Sequence, residues 1–321
     1  MDPVSHALFG RTLGLAVASP RRRRGVTAAL VLGSLLPDID IALAPRAFET
    51  YLRVHASGTH SLVGSIVGAV VLAAVLRGAL RGSRYWPLFW ASWAGTLGHV
   101  FWDVADGGDI SVLEPLSSAA FGWHLVAMGE PAVLALLLAA AVFAWGRPSG
   151  GRAAAALALA GLVALLAVKS VSQTAARARH AQANAGVGRG DAPSALAIEP
   201  VRGSLARWTI YDRADDRLRA WRVDSITGTV ELGFERSDAG TSPFAAASRD
   251  LPVVRAFLAM YGIPFARIEN DGTRRLALWS DIRWCSAAAC DVSFGGVFDG
   301  AMKPLYQVVQ VGGFRQMRPV Q

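Results

Sequence analysis

The sequence predicts an α-helical integral membrane domain of about six helices, the first one short, followed by a small α+β soluble domain. Three observations lead there. Hydrophobic residues make up 53% of the 321 residues and charged residues only 17%, a balance too apolar for an ordinary soluble protein of this length. The apolar excess lies before residue 172, and the remainder of the chain has the mixed composition of a globular domain. Most arginines of this region, finally, stand at or near the ends of the apolar stretches.

A bilayer core about 30 Å thick needs roughly 20 apolar residues per helix. Val4 to Ala18 is short and stops at Pro20, so it is either a short span or an interfacial helix. Val26 to Ala44 is long enough but carries Leu36-Pro37-Asp38-Ile39-Asp40 near its end. Leu62 to Leu80, Trp86 to Val104, Leu125 to Trp145 and Ala153 to Val171 supply four further spans. No basic region precedes the first apolar stretch, so that helix is expected to be retained and not cleaved as a signal.

The net charge of +8 is mostly arginine. Arg21 to Arg24, Arg77, Arg81, Arg84, Arg147 and Arg152 flank spans, the pattern of topology-setting charge and not of a nucleic-acid surface. Placing the arginine-rich loops at 20–25, 77–85 and 146–152 in the cytoplasm makes the spans alternate and sends everything after Val171 outside. The domains are then 1–172, transmembrane with a metal site; 173–195, a helix end running into the linker Gly186 to Pro193; and 196–321, extracytoplasmic. In the last, Trp208 to Tyr211, Leu218 to Val223, Thr229 to Leu232, Leu276 to Ile282 and Leu305 to Val311 read as strands, and Val253 to Tyr261 as a helix. Cys285 and Cys290 are too few for a four-ligand zinc site; outside the cytoplasm the expectation is a disulfide, inside it free thiols.

Chemistry gathers where one membrane face should be. His6 begins the first span, Asp38 and Asp40 end the second, His55 and His60 open the third, His99 and Asp103 end the fourth, and Glu130 stands at the fifth. Asp106 and His124 lie near these ends. Ionisable groups in membrane segments are costly and mark functional sites, and these are the ligand types of zinc, manganese or iron. His99 and Asp103, four apart, share a helix face. Asp38 and Asp40 could face one cavity after the break at Pro37. His55 is expected as an outer partner or exposed, His124 as an interfacial aromatic, and His180 as exposed in a polar segment.

Asp2-Pro3-Val4-Ser5-His6-Ala7, Leu36-Pro37-Asp38-Ile39-Asp40, Gly58-Thr59-His60-Ser61-Leu62 and Gly98-His99-Val100-Phe101-Trp102-Asp103 resemble, in this order, the YdjM-type bacterial inner-membrane metal-dependent hydrolases. The resemblance covers residues 1 to about 131, and Trp279 to Trp284 is similar to a segment of the longer members. Two departures are visible: Ala56-Ser57-Gly58 follows His55 where an arginine-glycine pair is usual, and Glu130 stands where an Asp before Pro131 is common. The resemblance implies a membrane-bound, metal-dependent hydrolase of the inner membrane. A looser similarity of ligand order to zinc-dependent phospholipases C adds phosphoesters to the substrates.

The expected site is therefore a divalent ion, zinc with manganese or iron as alternatives, held by His6, Asp38, Asp40, His60, His99 and Asp103. Asp40 or Glu130 is the expected general base. Membrane lipid and a lipid-like or other small substrate are the expected partners, with a protein partner for the C-terminal domain and no nucleic acid. A scaffold or regulator with a structural metal site is the alternative. A transporter fits less well, because the polar groups gather at one face and do not line a path across the bilayer.

Overall fold

The computed structural model describes residues 2–18, 23–43, 50–51, 54–185, 196–260 and 262–320. Arg21, Arg22 and the linker Gly186 to Pro193 lie outside the described residues. The chain divides into two compact units. One comprises residues 1–46, 53–172 and 199–205, the other residues 47–52, 173–198 and 206–321.

The first unit is helical. It contains α1 (Pro3–Val17), α2 (Arg23–Gly33), α3 (Leu62–Ala79), α4 (Tyr85–Asp106), α5 (Pro131–Gly146) and the part up to residue 172 of α6 (Gly151–Asn184), whose remainder belongs to the second unit. Three boundaries have a clear local cause. Asp2 caps α1 by accepting from the Ser5 amide at 2.9 Å, with Pro3 in the first turn, where a missing N–H is harmless. Ser61 caps α3 by accepting from the Gly64 amide at 2.9 Å. Gly107 ends α4 in the left-handed region at φ 98°, which glycine adopts without strain.

Among the described residues, only α3 and α6 are long and apolar enough to cross a membrane by length and composition. A third span results if α2 and the following 3₁₀ turn Pro37–Leu43, bent by 50° at their junction, form one broken span. By this measure two or three of the six expected spans are supported. His99, Asp103 and Asp106 lower the hydropathy of α4. The Leu125 to Trp145 segment becomes helical only at Pro131, leaving a 16-residue helix.

Glycines set the spacing of the helices. A Cβ at Gly95 of α4 would lie 2.4 Å from the Leu30 carbonyl oxygen of α2, and one at Gly33 would lie 2.3 Å from the Ser92 carbonyl oxygen. The α2 and α4 backbones therefore touch, as small-residue faces allow inside membranes. Nearby, Phe9 meets the fully buried Trp102 edge-on, ring centroids 5.7 Å apart.

The second unit is built on two antiparallel sheets, β1-β2-β3-β4 and β5-β6-β7-β8-β9. The strands are β1 (Ala197–Pro200), β2 (Arg207–Ala214), β3 (Arg217–Asp224), β4 (Val230–Ser237), β5 (Pro264–Asp271), β6 (Arg274–Asp281), β7 (Val292–Phe298), β8 (Pro304–Val311) and β9 (Phe314–Pro319). Helices α7 (Pro243–Ser248) and α8 (Pro252–Leu258) lie between β4 and β5 in the chain. The β2–β3 hairpin turns tightly, Ala214 pairing with Arg217, with Asp215 at φ 54°, the backbone that two-residue hairpin turns demand. Phe257 of α8 stacks on Phe294 of β7, ring centroids 4.9 Å apart, in one buried cluster with Phe298 and Trp279; each such aromatic contributes about 1.5–3 kcal/mol by burial. Cys285 and Cys290 are joined in a disulfide. Asp281, in the segment similar to longer family members, accepts from the Arg283 amide at 2.9 Å and pairs with its guanidinium at 2.9 Å, so that segment is a structural corner.

Residues after 172 correct one expectation. α6 runs on to Asn184, and His180 is 2% exposed, not solvated. Its Nε2 lies 3.3 Å from the buried carboxylate of Asp212, which also accepts from Arg219 Nε at 2.7 Å and Trp221 Nε1 at 2.9 Å. Burial alone would raise the Asp212 carboxyl, but these donors hold it below its ordinary value.

Candidate metal centre

Four side chains from three places in the helical unit converge. Asp38 comes from the 3₁₀ turn and His60 from the residue after the π-helical turn Val54–Thr59. His99 and Asp103 come from consecutive turns of α4. One donor atom from each lies within 4.8 Å of all the others.

His99 Nε2 lies 2.8 Å from Asp103 Oδ2, as the i,i+4 spacing requires. His60 Nε2 lies 3.1 Å from His99 Nε2 and 3.3 Å from Asp103 Oδ2. Asp38 Oδ1 stands further off, 3.5 Å from His99 Nε2 and 3.7 Å from His60 Nε2. Bonds of about 2.0–2.2 Å to a tetrahedral ion place its donors about 3.3–3.6 Å apart, and these separations scatter around that value.

The outer hydrogen bonds fix which ring nitrogens face inward. His99 Nδ1 lies 2.8 Å from the Ser34 carbonyl oxygen, which can only accept, so Nδ1 carries the proton. Thr59 Oγ1 gives its one proton to Asp40 Oδ2, so at 3.0 Å it can only accept from His60 Nδ1. In the neutral rings both Nε2 atoms are then bare lone pairs, pointed at each other and at two carboxylates. Acceptors gather this way around a cation, and an outer partner on the second ring nitrogen is the usual companion of a metal-bound imidazole.

His6 sits beside this set. Its ring stacks on His99 with centroids 3.8 Å apart, and its Nε2 meets Asp103 Oδ1 at 3.2 Å, the carboxylate oxygen turned away from the two other histidines. Its buried Nδ1 has no hydrogen-bond partner among the described residues. Asp38 and Asp40 do not share one cavity. At three residues per turn, positions two apart in a 3₁₀ turn point in well-separated directions. Asp40 faces the other way, where His55 Nδ1 lies 3.0 Å from its Oδ1, and Asp40, His55 and His60 make up a second group of metal-ligand type. Glu130 joins neither group: its carboxylate is 2% exposed, 3.1 Å from Lys169 Nζ of α6, and accepts from the Gly203 amide at 3.0 Å. His124 faces Asp109, with 3.4 Å between Nε2 and Oδ1.

Sequence reasoning missed the two outer acceptors, Ser34 and Thr59, and the Lys169 partner of Glu130. A lysine in the middle of an apolar helix was the available signal for the last.

A family model for the YdjM inner membrane protein matches residues 1–176, more than half of the chain and all of the cluster. The chain belongs to the YdjM inner membrane protein family. No curated protein and no solved structure matches it. Family membership and the apolar helices together make this a membrane protein, and in this YdjM family chain the matched segment contains a group of side chains that could hold a metal ion.

The arginines gather elsewhere in the helical unit. Arg24 at the start of α2, Arg81 after α3 and Arg84 before α4 border one cleft. Asp103 lies nineteen residue steps along α4 from Arg84, about 28 Å at about 1.5 Å per residue, close to the thickness of a bilayer core.

Proposed function

We propose that this protein is a membrane-bound, metal-dependent hydrolase acting at the extracytoplasmic face of the inner membrane on esters or phosphoesters. The observation that carries this reading is the pair of facing Nε2 atoms of His60 and His99, 3.1 Å apart, between two carboxylates and with both Nδ1 atoms committed elsewhere. His60, His99 and Asp103 form the tight side of the site. Asp38 completes it, and its side chain is 27% exposed, whereas those of His60 and His99 are fully buried. Substrate and water reach the cluster over Asp38.

A divalent ion held by His60, His99, Asp103 and Asp38, zinc with manganese or iron as alternatives, would supply Lewis-acid chemistry, lowering the pKa of bound water and polarising the scissile group. The remaining work belongs to the protein. Asp38, the most distant and most open of the four donors, would give up its place to the attacking water and take that water's proton. His6 holds Asp103 in orientation, and Asp40 holds His60 through Thr59, so both are positioning residues in this reading. Glu130, bound by Lys169 and the Gly203 amide, serves the fold.

Arginine at the opposite end of α4 supports an extracytoplasmic cluster under the positive-inside rule. The disulfide supports an extracytoplasmic C-terminal domain, and with it a multi-pass chain. That domain is assigned to positioning of substrate or to a protein partner.

A second reading has one observation in its favour: four protein donors fill a tetrahedral ion completely, as structural sites do. In that case the protein is a membrane scaffold or regulator. The purified, metal-loaded protein, offered para-nitrophenyl acetate and bis-para-nitrophenyl phosphate, separates the two. Hydrolysis of either compound that chelation abolishes and His60→Ala removes is the expected result. Retention of stoichiometric metal without turnover of either class moves the scaffold reading to first place.

A further inference from the structure

An apolar groove of about 380 Å³ opens beside the cluster in the helical unit. One wall is the α3 face carrying Gly64, Val67, Gly68 and Val71. The other is formed by Leu36 and Ile39 around Pro37, with Val54 and Thr59. The glycines let the second wall close on α3, since a Cβ at Gly64 would lie 2.0 Å from the Gly58 carbonyl oxygen and one at Gly68 2.8 Å from Leu36 Cδ2; the trough runs beside these contacts, with the buried Ser65 and Thr96 also in its lining.

The hydroxyls in this lining are already occupied. Ser65 Oγ donates to the Leu62 carbonyl oxygen, Thr96 Oγ1 to the Trp93 carbonyl oxygen, and Thr59 Oγ1 to Asp40. Among the described residues, no charged side chain lines the groove. An occupant therefore meets hydrocarbon along the length of the trough, which suits an alkyl chain and offers nothing to a polar molecule.

Two features select the occupant. The rim is formed by Val67, Val71 and Ile39, exposed by 57%, 57% and 65%, and α3 is one of the helices long and apolar enough to cross a membrane, so the rim is open toward lipid. The inner end is continuous with the cluster, because Thr59 both lines the groove and accepts from His60, and Pro37 leads directly into Asp38. The volume holds about a dozen groups of water size at about 30 Å³ each, comparable with much of one acyl chain.

We infer that this groove seats one acyl chain of a membrane lipid and delivers its ester or phosphoester end to Asp38, His60, His99 and Asp103. Delivery of the ester rests on the hydrolase reading; seating of the chain stands without it.

The test uses the full chain in vesicles of phosphatidylethanolamine and phosphatidylglycerol, with a trace of phosphatidylglycerol bearing a diazirine midway along one acyl chain. Photolabelled positions are mapped by mass spectrometry. Label concentrated on Val67, Val71, Ile39 and Val54 is expected. Val71→Trp or Val67→Trp should lower it about tenfold, the loss expected when roughly two methylene groups lose their seats. Val70→Trp, on α3 but outside the groove, should leave it unchanged, with metal content and monodispersity confirming that all variants are folded.

Label spread evenly over Val63, Val70, Val71 and Val75, or insensitive to both rim tryptophans, overturns the groove and means bulk lipid only. Labelling needs no turnover, so failures separate. Groove labelling without hydrolysis of any compound removes the enzyme and keeps the lipid site. Chelator-sensitive hydrolysis of a short soluble ester with even labelling does the reverse.

Discussion

His60 and His99 meet Nε2 to Nε2 at 3.1 Å, each ring held from behind by a different acceptor, Thr59 Oγ1 for one and the Ser34 carbonyl oxygen for the other. The acceptors come from separate parts of the chain, so the site depends on the turn after α2 and on the approach to α3 together. Each of these dependences can be measured.

The outer partner of His60 should matter without touching metal. Thr59→Val removes the acceptor for His60 Nδ1 and unties Asp40. Loss of such a partner typically weakens metal affinity about 10–100-fold, readable by competition with a chromophoric chelator. Thr59→Ser should restore most of the affinity. Unchanged affinity in Thr59→Val would remove Asp40 and Thr59 from the account.

Glu130 and Lys169 should govern stability and leave the metal alone. Both side chains are buried and paired at 3.1 Å, and removing one partner of such a pair strands a charge at a cost of about 3–5 kcal/mol. Lys169→Met should lower the unfolding midpoint in detergent clearly, while the metal content of the folded fraction stays as in wild type. Metal loss in Glu130→Gln would return that carboxylate to the site.

Close packing of α2 on α4 should be intolerant of a methyl group. Gly95→Ala forces a Cβ against the Leu30 carbonyl oxygen and pushes α4 away from the turn that holds His99. Overpacking costs about 1–3 kcal/mol, so both the thermal midpoint and the metal affinity should fall together. Gly78→Ala, where a Cβ meets nothing within 4 Å, serves as the control.

The C-terminal domain should lose stability in acid through Asp212. Its carboxyl is held below the ordinary value in the folded state, where burial is outweighed by His180, Arg219 and Trp221. The stabilisation is then fully present above the unfolded-state value of about 3.9 and is lost as pH falls through the lower folded value. Wild type should destabilise more steeply than Asp212→Asn over that window, followed by tryptophan fluorescence; identical acid profiles would contradict the assignment.

Much of this was legible in the sequence because the signals were local. The i,i+4 pair His99 and Asp103, the break at Leu36-Pro37, the cap before α3 and the strands around Trp208, Trp221 and Trp279 each announce themselves within a few residues. Long-range partners do not. Nothing near Ser34 says that its carbonyl receives His99, and nothing near Lys169 names Glu130. Asp38 and Asp40 were separable only once the backbone after Pro37 proved to be a 3₁₀ turn, since an extended or a helical reading places them differently. Segment ends were hidden for a related reason: window hydropathy cannot foresee that the helix in Leu125 to Trp145 starts only at Pro131.

Asp38, His60, His99 and Asp103 are central because together they are assigned one divalent ion. Elemental analysis of the protein purified in detergent, after metal supplementation and desalting, tests that assignment most directly against His99→Ala and Asp103→Ala. About one ion per chain is expected in wild type and near none in either variant. A folded, supplemented wild type without metal, or variants that retain it in full, would contradict the assignment.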